Sequence, residues 1–182
     1  MRLFTALDPP PGNRPRYAEL QNALPLTARW SDPEQFHVTV RFIGEIEEAD
    51  FSEYAAALTD LQASAAHCVP YGLDVLPSRR APRVVVLGLE RTSSLVALHD
   101  AVTEALAPLG LDPEDRTYRP HLTLGRLSDP DPTAVHEALR RVDAPRLSPF
   151  SATTLHLYES TRTPSGAIHE RRLSVPLQEQ PA

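Results

Sequence analysis

The sequence predicts an α+β fold with two pseudo-symmetric lobes of mostly antiparallel sheet, helices on the outside and a central active-site cleft. Strand-like and helix-like segments alternate, but the glycine-rich strand-to-helix turn of a doubly wound parallel sheet is missing. Each half also contains a strand, a helix, a histidine-bearing strand and another helix. With 182 residues the chain can build one proper core, so we assign residues 1–182 to a single two-lobed domain.

In the first half, alternating apolar residues predict strands and three-to-four-residue spacing predicts helices. Asp8 and a run of prolines end the first strand, and Gly44 ends the second. Asp50 and Glu53 have the spacing of a capping box, which predicts the start of the second helix. The predicted elements are strand 2–7, helix 14–24, strand 36–43 and helix 51–61.

The second half is predicted in the same way. Two apolar segments flank a proline-containing turn at 77–82, which favours paired strands. Leucines and valines form a stripe along the next helix, which Gly110 ends, and Pro132 begins a further helix. The predicted elements are strands 71–76 and 83–89, a helix from Ser93 or Ser94, strand 121–127, a helix from 132, and strands 153–159 and 173–177.

Composition excludes several classes of function. The formal net charge of −6 argues against a globally basic nucleic-acid binder, so contact with nucleic acid should be local. All 18 basic residues are arginine, which excludes Schiff-base chemistry, a lysyl-nucleotide intermediate and a phosphate-loop lysine. Cys68 is the only cysteine and cannot form an internal disulfide. Because we find neither a signal peptide nor a membrane-spanning apolar run, we expect a cytoplasmic protein that contacts no membrane.

One four-residue pattern occurs twice: "HVTV" at 37–40 and "HLTL" at 121–124. Of the seven histidines, only His37 and His121 have a threonine two residues later. On a strand, residues two apart share a face, so each motif presents an imidazole and a hydroxyl together above an apolar underside. The same alternation predicts that Arg41 shares the face of His37 and Thr39.

Two such motifs suit the opening of a phosphodiester. A general base activates the attacking oxygen and a general acid protonates the leaving one, on opposite sides of the phosphorus. His37 and His121 can do either task near neutral pH, and the hydroxyls of Thr39 and Thr123 can hydrogen-bond the phosphate oxygens. No carboxylate lies in a recognisable metal-ligand pattern beside either histidine, so we expect neither a metal nor another cofactor.

With both motifs placed, the sequence resembles the two-histidine phosphoesterase superfamily, in particular the bacterial and archaeal RNA 2′,3′-cyclic phosphodiesterases of the LigT/ThpR type. The likeness extends over the whole chain. The segments that carry it are "RLFTALDPP" (2–10), "RWSDPEQFHVTVRFIGEI" (29–46), "RVVVLGLE" (83–90), "YRPHLTLGRL" (118–127) and "LHLYES" (155–160).

The resemblance implies hydrolysis of RNA 2′,3′-cyclic phosphate ends to 2′-phosphates without a metal. It also implies a role in tRNA processing, since some members of the family ligate tRNA halves through 2′–5′ bonds. It assigns the acid to His37 and the base to His121, whereas the near symmetry of the motifs leaves the order open. It also places Phe42 and Arg126 around the terminal base, although simple alternation would turn both away unless the strands bulge. The hairpin segment "YESTRTPSGAIHERR" departs from the family pattern, with His169 where an aromatic residue is common.

Two alternatives remain open at this point. The same chemistry could act on a small cyclic nucleotide or an ADP-ribose cyclic phosphate. Arginines along a groove beyond the site would favour RNA, whereas an enclosed pocket would favour the small ligand. The scaffold could instead be a non-catalytic RNA-end binding module, which would not need a matched acid and base. We expect RNA ends or oligonucleotides as the only partners and a monomeric protein.

Overall fold

The computed structural model describes residues 1–112, 114, 116–142, 147–164 and 166–179, and in them it shows the predicted α+β fold. The strands are β1 (Arg2–Leu7), β2 (Ala28–Trp30), β3 (Val38–Glu45), β4 (Ala66–Cys68), β5 (Pro70–Ser78), β6 (Ala81–Leu89), β7 (His121–Leu127), β8 (Phe150–Ala152), β9 (Thr154–Thr163) and β10 (Gly166–Pro176). The helices are α1 (Arg14–Ala23), α2 (Phe51–Thr59), α3 (Ser93–Leu106) and α4 (Pro132–Arg141).

An antiparallel, 8-stranded sheet forms the centre of the described fold. Its strand order is β10-β9-β1-β3-β7-β6-β5, and β2 pairs with β7 beside this path. β4 and β8 form a separate two-stranded sheet. The central strands β3 and β7 are joined through a single residue pair, Val38 with Leu122. The large sheet therefore has two halves that meet at one point, which gives the fold its two-lobed character.

Helix α3 shows how the apolar pattern becomes core. Its stripe of four leucine and valine side chains is buried at no more than 1% exposure. The Thr92 hydroxyl accepts a hydrogen bond from the Leu95 amide at the start of the helix, and Gly110 follows its end with a φ of 86°. Buried residues from both halves of the sheet belong to one hydrophobic cluster with this helix.

Three details differ from the sequence prediction. Asp50 does not cap α2, because a short 3₁₀ turn at Glu48–Asp50 precedes the helix and gives Asp50 helical backbone angles. The strands β2, β4 and β8 were not predicted, since three residues are too few to show a pattern. The last two strands are longer than predicted: β9 ends at Thr163 instead of 159, and β10 begins at Gly166 instead of 173.

The structure also bears on the single cysteine and on the expectation that the chain contacts no membrane. Cys68 is fully buried, and burial raises the pKa of its thiol to about 12, so the side chain stays protonated and unreactive. Among the described residues, none of the helices has the length and apolar character that crossing a bilayer requires.

Candidate active site

The strand pair at the centre of the sheet places the two repeated motifs side by side. Val38 and Leu122 are both buried and pair directly across β3 and β7. In a regular antiparallel ladder the positions on either side of such a pair also face each other. The structure pairs only the two central residues here, and the register continued from them matches His37 with Thr123 and His121 with Thr39. An approximate two-fold axis through the central pair therefore relates the motifs.

A β-bulge in β3 turns Phe42 onto the face that carries the histidine. Consecutive residues of β1 pair with Thr39 and Arg41, so Val40 has no partner and the alternation shifts by one residue. Arg41 is consequently buried, at 4% exposure, whereas Phe42 is 55% exposed. The prediction that Arg41 shares the face of His37 is therefore wrong.

The same bulge occurs in β7, where Leu124 has no partner in β6. After each histidine, the next five residues have one burial pattern: buried, half-buried, buried, buried, exposed. The fifth residue is Phe42 in one strand and Arg126 in the other, and the bulges bring both to the face of the histidines. Because β3 and β7 run in opposite directions, the two side chains approach the cleft from different sides.

Both catalytic candidates are oriented by a backbone carbonyl two residues earlier. His37 Nδ1 lies 2.8 Å from the Gln35 carbonyl oxygen, and His121 Nδ1 lies 2.7 Å from that of Arg119. A carbonyl oxygen can only accept a hydrogen bond, so each Nδ1 carries hydrogen and donates it. Each imidazole therefore keeps Nε2 for exchanging a proton with a substrate.

Burial lowers the pKa of both imidazoles below the ordinary histidine value, but their charged neighbours differ. For His37, the Gln35 carbonyl and the Asp8 carboxylate act in the opposite direction and raise the pKa, while repulsion from His121 lowers it. For His121, its carbonyl partner raises the pKa and the Arg119 guanidinium lowers it. The unlike charged neighbours break the symmetry of the two imidazoles.

Asp8 is fixed beside the first histidine by several hydrogen bonds. The Tyr158 hydroxyl lies 2.8 and 2.9 Å from its two oxygens, and Arg171 donates to one of them at 2.6 Å. The Nε2 atom of His156 lies 3.8 Å from the same carboxylate. These contacts hold a negative charge at the end of β1, near His37.

An aromatic wall, defined here as Phe4, Phe42, Tyr158 and His169, borders the His37 side of the cleft. Phe4 is its centre: its ring lies 5.0 Å from that of His37, 5.4 Å from Tyr158 in a stacked arrangement and 6.0 Å from Phe42. The His169 ring meets Phe4 edge-on at 5.0 Å. Phe4 itself is buried, and the exposed ring of Phe42 beside it offers flat apolar surface, which suits a nucleobase.

A network of side chains supports the first motif from behind. Arg41 forms an ion pair with Glu114, whose carboxylate also lies 3.2 Å from His99 Nε2. The His99 ring stacks on Tyr118 at 4.5 Å, and the Tyr118 hydroxyl donates to the Thr39 carbonyl at 3.0 Å. The segment that leads into the second motif is thereby tied to the strand of the first, which keeps the two motifs in register.

The His121 side of the cleft is open and basic. A cavity of about 230 Å³ lies beside His121, with Tyr71 and Arg119 among its lining residues. Further along β7, Arg126 pairs across the ladder with Arg29 of β2, and both are exposed. In the described part of the chain neither arginine has a carboxylate partner. Two like charges on adjacent strands repel each other, so this arginine pair favours an anion between them.

The sequence singled out both histidines and both threonines as candidates but gave no role to three other residues that the structure places near His37. Asp8 was taken only as the end of a strand, and the wall residues Phe4 and Tyr158 were given no role. All three lie in segments that carried the family resemblance, so position in a motif was the available signal. The backbone carbonyls that orient the histidines could not be identified from the sequence, because every residue has a carbonyl group.

A family model and curated relatives match this sequence over most of its length. The model of the 2′-5′ RNA ligase superfamily matches residues 8–164. A curated RNA 2′,3′-cyclic phosphodiesterase of Methanocaldococcus jannaschii is 30% identical over 172 residues, covering 93% of this chain and 97% of that protein. One from Archaeoglobus fulgidus, with the same name, is 28% identical over 174 residues, covering 93% and 97%.

Solved structures share the fold. A crystal structure of a Thermus thermophilus protein superposes with a TM-score of 0.79 at 22% identity, covering 99% of this chain and 100% of that one. Escherichia coli LigT in complex with 3′-AMP superposes with a TM-score of 0.76 at 21% identity, covering 97% of each chain. At these identities the likeness concerns the fold.

Proposed function

The chain belongs to the 2′-5′ RNA ligase superfamily, and from this we propose that it is an RNA 2′,3′-cyclic phosphodiesterase. In this proposal, water opens the cyclic phosphate at the end of an RNA and leaves a 2′-phosphate. The observation that supports it is the pairing of Val38 with Leu122, which joins the two motif strands, so that a histidine and a threonine from each half can face one phosphate. This is the arrangement that in-line displacement at phosphorus requires.

We assign the general acid to His37 and the base to His121. The Asp8 carboxylate favours the protonated form of His37, and the Arg119 guanidinium favours the neutral form of His121. Water attacks the phosphorus as His121 Nε2 takes its proton, and the bond to the ribose 3′ oxygen breaks as His37 Nε2 protonates that oxygen. Because the carbonyls keep hydrogen on both Nδ1 atoms, each proton transfer occurs at Nε2.

Thr39 and Thr123 are proposed to hold the non-bridging phosphate oxygens. The register continued from Val38 and Leu122 matches each threonine with the histidine of the other motif, so in this proposal hydroxyls from both strands bind a phosphate between the imidazoles. Hydroxyl donors stabilise the charge that develops on these oxygens during the displacement. The hydrogen bond from Tyr118 to the Thr39 carbonyl supports the position of the first of them.

RNA suits this cleft better than a small cyclic nucleotide. Phe42, with the rest of the aromatic wall, is proposed to stack on the terminal base, on the side of the histidine that protonates the ribose oxygen. Arg126 with Arg29 offers positive charge along β7 outside the catalytic centre, where a longer chain would carry phosphates. A small cyclic nucleotide has no further phosphates for this arginine pair to bind.

We further propose that the reaction needs no metal. Two imidazoles suffice for both proton transfers, and the groups of three donor side chains typical of a metal site are not found among the described residues. The test is to incubate the protein, with EDTA, with an oligonucleotide that ends in a 2′,3′-cyclic phosphate and to identify the product end. We expect a 2′-phosphate at the same rate with and without EDTA. An unchanged cyclic end would contradict the proposed activity, and inhibition by EDTA would contradict the metal-free mechanism.

A further inference from the structure

A third histidine stands beside the catalytic pair. His169 lies on β10 opposite Ser160 of β9, and the hairpin brings its ring to 5.2 Å from the His37 ring at a nearly perpendicular angle. The same ring meets Phe4 edge-on. His169 is therefore part of the cleft surface on the side where the proposed reaction places the terminal nucleoside.

The Nδ1 atom of His169 is buried and has no hydrogen-bond partner among the described residues. The Nδ1 atoms of His37 and His121, by contrast, each have a carbonyl partner, and that of His156 lies 2.9 Å from the Ser174 hydroxyl. Leaving a buried polar atom unpaired costs stability, so a ligand that supplies the missing hydrogen bond gains affinity.

His169 is also unsuited to a role in proton transfer. Burial, together with repulsion from His37, lowers the pKa of His169 to about 4. Near neutral pH the ring is uncharged, with one N–H donor and one acceptor nitrogen. An uncharged ring adds little to the binding of a phosphate but can hydrogen-bond a neutral group. Its place on the aromatic wall puts it against a nucleoside.

We propose that His169 is a substrate-binding residue: when the terminal nucleoside of the RNA enters the cleft, the ring turns so that its unpaired Nδ1, buried in the free protein, forms a hydrogen bond with that nucleoside. The proposal rests on the proposed function for the presence of a nucleoside in the cleft. It adds a polar contact to a wall that would otherwise bind by stacking alone, and the partner is a sugar oxygen or an edge of the base. The histidine thus contributes to affinity and selectivity for the nucleoside, while the proton transfers stay with His37 and His121.

The test measures binding of adenosine 2′-phosphate and of inorganic phosphate by calorimetry to three variants. His169→Phe keeps an aromatic ring against Phe4 but removes both nitrogens, and His169→Asn places an amide near the position of Nδ1. We expect His169→Phe to weaken binding of adenosine 2′-phosphate roughly three- to tenfold, the scale of one hydrogen bond, and His169→Asn to stay within about twofold of the unaltered protein. Inorganic phosphate should bind all of them equally. His136→Phe is the matched control, because its Nε2 is also buried and unpaired but lies on α4.

Repeating the measurement with uridine 2′-phosphate identifies the partner. An equal loss for both nucleotides indicates the sugar, and an unequal loss indicates the base. Unchanged binding of both nucleotides by His169→Phe would overturn the proposal, as would an equal loss of phosphate binding, which would mean that the site as a whole is disturbed. Failure of the proposed function shows separately, as an oligonucleotide cyclic phosphate that the unaltered protein does not hydrolyse.

Discussion

The two histidines occupy equivalent positions on their strands, yet they have opposite charges beside them. A carboxylate, Asp8, lies near His37, and a guanidinium, Arg119, lies near His121. Hydrogen bonds from Tyr158 and Arg171 hold Asp8 in place. At the residue scale this difference is the basis on which we propose His37 as the acid and His121 as the base.

The first prediction concerns pH. In the free enzyme kcat/KM needs protonated His37 and neutral His121, so it falls at high pH as His37 loses its proton and at low pH as His121 gains one. Because burial lowers both pKa values, we expect the optimum at or below ~6.5, the ordinary imidazole value. Asp8→Asn removes an influence that raises the pKa of His37, so the alkaline limb should move to lower pH.

Arg119→Gln is the complementary change. It removes a positive charge that lowers the pKa of His121, so the acidic limb should move to higher pH while the alkaline limb stays in place. Glu137→Gln on α4 is the control and should leave both limbs unchanged. A profile in which Asp8→Asn shifts the acidic limb instead would reverse the assignment of acid and base.

The two histidines and two threonines of the proposed site could be selected from the sequence because a repeated residue pattern marks them. The sequence did not predict the role of Asp8 or of Tyr158, since their contact spans 150 positions of the chain and depends on the pairing of β1 with β9. Contacts of that kind have no local pattern.

At the scale of elements, the paired bulges of β3 and β7 decide which residues reach the cleft. Without them, alternation would turn Phe42 and Arg126 away from the histidines. In β7 the bulge is packed closely. A β-carbon on Gly125 would lie 2.6 Å from Trp30 Cε3 and 3.1 Å from the Arg29 carbonyl oxygen. Glycine at this position lets β2 lie against β7.

The second prediction follows from this packing. Gly125→Ala should lower the free energy of unfolding by roughly 1–3 kcal/mol, the usual cost of overpacking, as measured by urea denaturation. Gly12→Ala is the matched control, because a β-carbon there would meet nothing within 4 Å. Equal stability of Gly125→Ala and the unaltered protein would show that β2 does not depend on this contact.

Elements with a long periodic pattern were predicted well and elements without one were not. The stripe of α3 and the strand β7 have the predicted residues. The short strands β2, β4 and β8 exist because neighbouring strands supply their hydrogen bonds. The bulges were foreseen only as an alternative, since an unpaired residue is defined by its partner strand.

For the molecule as a whole, charge is distributed unevenly around the cleft. The chain has a formal net charge of −6, yet Arg29 and Arg126 lie together on β2 and β7. Local positive charge of this kind allows an acidic protein to bind RNA at its end without binding nucleic acid generally. Within the described ranges, neither arginine is paired with a carboxylate that would compete with a phosphate.

The third prediction tests this contact by its dependence on salt. For single strands the logarithm of affinity falls with the logarithm of salt concentration by about 0.7 for each phosphate neutralised. The double variant Arg29→Gln with Arg126→Gln should therefore reduce the slope for an oligonucleotide by about 0.7 or more, and Arg140→Gln on α4 should not. An unchanged slope would show that RNA does not pass over the arginine pair.

The central claim is that an imidazole from each half of the sheet acts on one phosphate. Its most direct test is the turnover of an oligonucleotide 2′,3′-cyclic phosphate by His37→Ala and His121→Ala, with His67→Ala of β4 as the control. We predict that each of the first two loses on the order of a hundredfold or more in kcat while still binding the oligonucleotide, and that the control keeps full activity. Near-normal turnover by either His37→Ala or His121→Ala would contradict the account.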